Sequence, residues 1–141
     1  QVLMNLLLNA ADAMPDGGVL SVGVSRVRLE GVELARIGPD AQAGDFLALA
    51  VRDTGTGIAP EVRPRLFDPF FTTKPPDVGT GLGLATVLRL VRGHEGFIGV
   101  ESEPGMGTCF TCYFPIPVAH SNDATRARDV APRDRGALAG R

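Results

Sequence analysis

Tryptophan is absent from the 141 residues, tyrosine occurs once and aromatic residues make up 6%. That excludes a surface built of aromatic stacking platforms for single-stranded nucleic acid. Positive charge is not in excess either. The formal net charge is −2, so the broad basic footprint of a nucleic-acid binder is missing and no nucleic-acid partner is expected. Lysine occurs once, at Lys74. No apolar run approaches the roughly 18 residues of a membrane span. The opening QVLMNLLLNA has no basic stretch ahead of its apolar residues. It is not a signal-peptide pattern; it reads as a helix entered part-way, and the chain as an N-terminally truncated fragment. Cysteine is scarce, with only Cys109 and Cys112, too few for a disulfide framework. Their C-x-x-C spacing suits zinc or redox chemistry, yet structural zinc takes four ligands. TCFTCYF is rich in strand formers, and residues three apart on a strand point to opposite faces. The pair therefore reads as two reduced strand residues.

What is present is enough for one domain. Hydrophobic residues make up 44%, which supplies a real core. The 18 glycines and 11 prolines break the chain into many short elements. Residues 1–14 are apolar helix formers, stopped by Pro15-Asp-Gly-Gly18. Because its sides are apolar outside one polar stripe, this helix is expected to be largely buried. Residues 19–30 alternate at period two and read as a strand, 31–45 as a loop, and 46–53 as a second strand. Pro60 opens a short helix through about Leu66. Gly81 to about Arg92 is a longer helix with Leu84, Val87, Leu88 and Val91 on one face. Phe97–Glu101 and Thr108–Pro115 are two further strands joined at Pro104–Gly107. This order predicts an α+β, two-layer α/β sandwich, with a mostly antiparallel mixed sheet and helices on one face. After Pro117 the composition shifts. Residues 118–141 carry five arginines and three aspartates without periodicity and read as a disordered C-terminal tail beside a 1–117 domain.

Three stretches can carry chemistry. Gln1, Asn5, Asn9 and Asp12 recur at spacings of four, four and three, one stripe of the first helix. Side-chain amides there can form a structural capping network, or offer oxygen to a hard cation such as magnesium and N–H to a phosphate. Asp53-Thr-Gly-Thr-Gly57 follows a strand directly. Its carboxylate can close an Asx-type turn or accept from a ligand amine, and its glycines admit close backbone approach. Gly79-Thr-Gly-Leu-Gly-Leu84 opens a helix, where glycine-spaced N–H groups form an anion site. The prolines before it deny the strand that a dinucleotide fold needs, and Gly-Lys-Ser/Thr of a P-loop is absent.

Together and in this order, the stretches resemble the catalytic ATP-binding domain of bacterial sensor histidine kinases. That domain belongs to the superfamily shared by gyrase, the ninety-class heat-shock chaperone and MutL. Asn5-Leu-Leu-Leu-Asn9-Ala looks like the N box and Asp53–Gly57 like the first glycine box. Phe67-Asp-Pro-Phe-Phe71-Thr-Thr-Lys74 looks like the F box, in its NtrB-like form. Gly79–Leu84 looks like the second glycine box and Gly105-Met-Gly107-Thr108-Cys-Phe110 like the third. The resemblance covers roughly residues 1–115 and implies the Bergerat ATP-binding fold without its first strand.

The resemblance also implies roles. Asp53 accepts from the adenine amine, Gly57 packs close to the base and Thr108 supports it through a water. Asn9 ligates magnesium bridging the phosphates, with Asn5 beside it. Lys74 reaches the terminal phosphate, which makes Asn5, Asn9 and Lys74 the candidate catalytic group. The implied nucleotide contacts run from Asn9 and Asp12 through Asp53, Gly55, Gly57 and Ile58. They continue with Phe71, Thr73, Lys74, Gly79, Thr80, Gly81, Leu82, Gly83, Leu84 and Thr108. Residues 68–80 form a lid, anchored by Phe67, Phe70 and Phe71.

One departure discriminates within the superfamily. Gyrase-like ATPases carry a glutamate one turn before the magnesium-binding asparagine to activate water; here Asn5 stands there. A histidine acceptor needs less help, since imidazole is partly neutral near pH 7. The implied function is a histidine kinase module using ATP and Mg2+. Its acceptor histidine lies on a dimerisation domain outside this chain, and the phosphoryl group passes on to a response-regulator aspartate. His94 reads as structural. The parent is expected to be a cytoplasmic or membrane-anchored homodimer and the fragment a monomer. An ATPase clamp of the same fold and a degenerate nucleotide-binding module are the alternatives.

Overall fold

The computed structural model describes residues 1–72 and 81–117. Helix α1 spans Val2–Asp12, strand β1 Leu20–Leu29, helix α2 Val32–Ile37 and strand β2 Gly44–Asp53. A 3-10 turn at Arg63–Arg65 follows, then α3 at Gly83–Gly93, β3 at Phe97–Glu103 and β4 at Gly107–Pro115. The sheet order is β1-β2-β4-β3. All three pairings are antiparallel, in line with a mostly antiparallel sheet.

Antiparallel residues directly opposite one another share a face, so the register sorts the side chains. Val51 lies opposite Phe110, and Phe110 opposite Val100. Leu49 lies opposite Cys112, and Cys112 opposite Ile98. On this face α1 and α3 pack against each other and over the sheet. Leu6 and Ala10 of α1 and Val87 and Val91 of α3 close the core with Val51, Phe110 and Cys112. Phe67, just past the 3-10 turn, meets Phe110 edge-on at 6.3 Å. Each fully buried aliphatic or aromatic side chain contributes about 1.5–3 kcal/mol.

Three expectations need correction. Residues 31–45 are not all loop. VELARI between Gly31 and Gly38 forms α2, and it covers a corner of the opposite face. There Leu34 and Ile37 pack on Leu29, Phe46 and Phe97, and Phe46 meets Phe97 edge-on at 5.0 Å. The helix expected from Pro60 to Leu66 shrinks to one 3-10 turn. Pro64 lacks the N–H that a continuing α-helix would bond back to Pro60. Finally, α1 is not largely buried: Met4 is 58% and Leu8 55% exposed. Its inward contacts are used up by β2 and α3. Val22 and Val24 of β1, opposite Val51 and Leu49, also stay exposed on that side. Apolar composition states what could be buried, not whether a partner surface stands over it.

The cysteines are free and buried. Cys112 points into the core, whereas Cys109 sits on the other face opposite Arg52 and Glu101. No group of three or more metal-ligating side chains occurs among the described residues, and no described helix is long and apolar enough to cross a membrane.

Three outcomes follow from this packing. Phe110→Ala should lower unfolding free energy by about 3–5 kcal/mol, and Met4→Ala by under about 0.5 kcal/mol, in urea titrations. Burial pushes the Cys112 thiol from 9.0 up to about 12. A thiol raised in this way stabilises the fold while protonated. The contribution is whole below the unfolded value and is lost as pH rises through the folded one. Wild type should therefore lose more stability than Cys112→Ala between about pH 8 and about pH 10.5. At about pH 8, Cys112 should resist thiol-labelling reagents until the chain is unfolded.

Candidate functional site

The polar end of the sheet lies one step beyond the core. Asp53 closes β2 opposite Thr108 of β4, and Thr108 lies opposite Ser102 of β3. By parity these three side chains continue the helix-facing rows of Val51, Phe110 and Val100. Asp53 is only 3% exposed. Its Oδ1 accepts the Gly55 N–H at 2.9 Å and the Thr108 N–H at 3.3 Å. The first of these is the Asx turn. Its Oδ2 accepts neither. No fully buried side-chain polar atom lacks a partner among the described residues, so Oδ2 is the oxygen that meets solvent. One oxygen of Asp53 holds the protein together and the other is left for a donor.

The loop after Asp53 is wedged between two parts of its own chain. Thr56 N–H donates to Ala13 O at the end of α1, 3.0 Å, and Gly105 N–H donates to Thr56 O, 2.7 Å. A Cβ at Gly55 would meet Ala13 O. Gly57 has φ +74°, and a Cβ there would meet Glu103 O. The sequence reads these glycines as room for a ligand; in the structure the backbone of α1 and of the β3–β4 turn fills that room. Ile58 donates its N–H to Ser102 Oγ at 2.8 Å and packs its side chain on the core. Ser102 also lies 3.1 Å from Gly107 O and 2.8 Å from Thr108 Oγ1. Sequence reasoning missed Ser102, because no motif marks it. Only the strand register brings it beside Thr108.

On α1, Asn5 and Asn9 are half-buried and lie one turn apart. Among the described residues neither side-chain amide makes a hydrogen bond, and neither is a buried orphan. Among the described residues the capping-network reading therefore finds no partner atoms for the two asparagines. Asp12 is exposed at the helix end.

Helix α3 begins without a side-chain cap and without an acidic residue in its first turn. Its first backbone bond runs from Thr86 N–H to Leu82 O, 2.9 Å. The donors before it have the uncapped character that an anion site needs. A Cβ at Gly83 would meet nothing within 4 Å. Leu84 packs on the core, while Leu82 is exposed. Gly81, at φ +73°, is pressed against Phe70, whose N–H donates to Gly81 O at 2.9 Å. The three expected anchors divide. Phe67 packs on the core, Phe71 lies under the Arg65 guanidinium at 4.5 Å, and Phe70 is 75% exposed with φ 66°. Thr73, Lys74, Gly79 and Thr80, and with them most of the expected lid, lie outside the described residues. His94 is exposed, its ring edge-on to Phe114 at 6.1 Å.

Known proteins resemble this chain in sequence and fold. The family described as "Histidine kinase-, DNA gyrase B-, and HSP90-like ATPase" matches residues 1–118. The sensor kinase CckA of Brucella abortus (strain 2308) is 40% identical over 116 residues, 82% of this chain and 12% of that protein. The sensory histidine kinase/phosphatase NtrB of Azospirillum brasilense is 38% identical over 140 residues, 98% of this chain and 33% of that protein. The chain thus spans between about an eighth and a third of these relatives. The nucleotide-free catalytic domain of histidine kinase ThkA superposes with a TM-score of 0.58 at 29% identity, covering 82% of this chain and 64% of that one. Full-length ShkA in complex with AMPPNP superposes with a TM-score of 0.57 at 31% identity, covering 85% of this chain and 22% of that one. With its α+β sheet-and-helix architecture of the Bergerat type, the chain belongs to the histidine kinase-, DNA gyrase B- and HSP90-like ATPase family.

Proposed function

We propose that the chain is the ATP-binding catalytic domain of a two-component sensor histidine kinase. The observation that carries this reading is Asp53. It is a buried carboxylate whose Oδ1 is committed to two backbone N–H groups and whose Oδ2 is open. A fixed acceptor of this kind suits the 6-amino group of adenine and repels the 6-oxo group of guanine. The solved relative ShkA was determined with the ATP analogue AMPPNP, which supports the same ligand here. The uncapped start of α3 is suited to the phosphates.

The residues on α1 fit magnesium. The amide oxygens of Asn9 and Asn5 are hard, neutral ligands without hydrogen-bond partners among the described residues, and Mg2+ completes its shell with water and substrate phosphate. When bound there, the ion would neutralise charge on the phosphates. Asn5 cannot take a proton from water at neutral pH, so this chain supplies no general base at that position. An imidazole acceptor fits that lack. Its nitrogen forms the N–P bond as the bond from the γ-phosphorus to the bridging oxygen breaks, and ADP leaves with the electron pair. We infer the further partners from the same reading. They are a helical dimerisation domain that carries the histidine and a response-regulator receiver whose aspartate takes the phosphoryl group. On this reading the parent is a cytoplasmic or membrane-anchored homodimer and the isolated chain a monomer; residues 118–141, read from composition as a tail, lie outside the described residues.

Asp53→Asn should keep the Asx turn through its amide oxygen yet replace the open acceptor with a donor. Calorimetry should show ATP binding weakened by about 1.5–3 kcal/mol with the fold intact; unchanged affinity would remove Asp53 from the site. Asn9→Ala should abolish the tightening of ATP binding by Mg2+ while adenosine binds nearly as before. An equal loss for adenosine would make Asn9 structural. The isolated chain should bind ATP without labelling itself. An added dimerisation domain should gain acid-labile phosphohistidine. Steady turnover on the order of 1 s⁻¹ in the isolated chain would instead favour an ATPase clamp.

A further inference from the structure

We propose that Ser102 is a positioning residue that sets which way the Thr108 hydroxyl points, and so makes the base end of the site select a 6-amino purine. The inference rests on the nucleotide reading above and deepens it. Its physical basis is proton counting. Ser102 Oγ has three neighbours at hydrogen-bond distance: Ile58 N at 2.8 Å, Gly107 O at 3.1 Å and Thr108 Oγ1 at 2.8 Å. A serine hydroxyl has one proton and two lone pairs. The Ile58 N–H can only donate, so it takes one lone pair. Gly107 O can only accept, so it takes the one proton. The contact with Thr108 then stays a hydrogen bond only if Thr108 donates into the second lone pair.

That assignment uses the single proton of Thr108. Its Oγ1 can then act toward the site only as an acceptor. The Thr108 N–H is already directed to Asp53 Oδ1 at 3.3 Å, and the two residues face each other across β2 and β4. In the same cross-strand row as Asp53 the site thus offers a second oxygen that cannot donate. Two acceptors side by side suit an exocyclic amine, met directly or through water, and oppose a carbonyl oxygen. Without Ser102 the Thr108 hydroxyl is free to turn its proton outward and donate to a 6-oxo group. Ser102 would therefore act on specificity without touching the base.

The test measures binding of ATP and of inosine triphosphate, a 6-oxo purine nucleotide, to the whole chain by calorimetry. The ATP-to-inosine-triphosphate affinity ratio should fall about three- to tenfold in Ser102→Ala, the worth of one hydrogen bond. Much of that fall should come from tighter inosine triphosphate. Ser102→Thr, which keeps the hydroxyl, should hold the wild-type ratio. In a Thr108→Val background, Ser102→Ala should leave the ratio unmoved, because there is no hydroxyl left to orient. An unchanged ratio in Ser102→Ala, an equal weakening of both nucleotides, or the same fall with and without the Thr108 hydroxyl would each overturn the role. Should Ser102→Ala fail to fold by circular dichroism, Ser102→Cys is read on the same criteria. Wild-type chain that binds neither triphosphate would overturn the nucleotide reading itself, and the inference with it. Wild type that prefers ATP while Ser102 variants keep its ratio would overturn the inference alone.

Discussion

Two backbone N–H groups converge on one oxygen of Asp53, and that convergence organises the polar end of the molecule. The Gly55 N–H turns the chain out of β2, while the Thr108 N–H ties β4 to the same carboxylate. A buried carboxylate is costly unless hydrogen-bonded. Here the bonds that lower that cost are also the ones that aim the other oxygen outward. On the proposed function, stability and recognition would therefore fall to different atoms of one side chain. The loop that follows is held between Ala13 of α1 and the β3–β4 turn, so the helix that bears the two amides and the strands that bear the acceptors share a common wedge.

Much of the order of elements was legible from periodicity and punctuation. Period-two alternation marked β1, and the Val87/Val91 spacing marked the buried face of α3. The failures have physical reasons. Helix α2 has six residues between two glycines, too few for a helical period to repeat. The turn at Arg63–Arg65 lost its helix to Pro64. The burial of α1 was over-read because the number of apolar residues says nothing of the surface available to receive them. Met4, Leu8, Val22 and Val24 remain exposed for want of a described layer above them.

The residues proposed for the site were legible where chemistry requires a particular residue type, as at Asp53, Asn9 and Thr108. They were less so where geometry alone decides. Gly55 and Gly57 were read as making room for a ligand, yet both positions are dictated by the chain's own carbonyls. A glycine signals close approach without saying by what. Ser102 carried no signal at all, being one serine in a strand of mixed residues. Its meaning comes from a register that pairs it with Thr108 and from a loop that brings Ile58 N–H onto it.

The same distinction accounts for how the site divides its labour. Among the described residues, acceptors gather at the strand ends, the amide oxygens of Asn5 and Asn9 on α1 have no hydrogen-bond partner, and donors without a side-chain cap begin α3. A ligand that satisfies all three must present a donor at one end and an anion at the other, with room for a cation near the anion. Nothing on this list activates water: the position where a carboxylate could do so is an amide, Asn5. On the proposed function, a site that would hold a nucleotide yet offers no base at that position would leave the choice of nucleophile to whatever group is brought to it. Under that proposal, specificity for the acceptor would come from docking rather than from chemistry built into this domain.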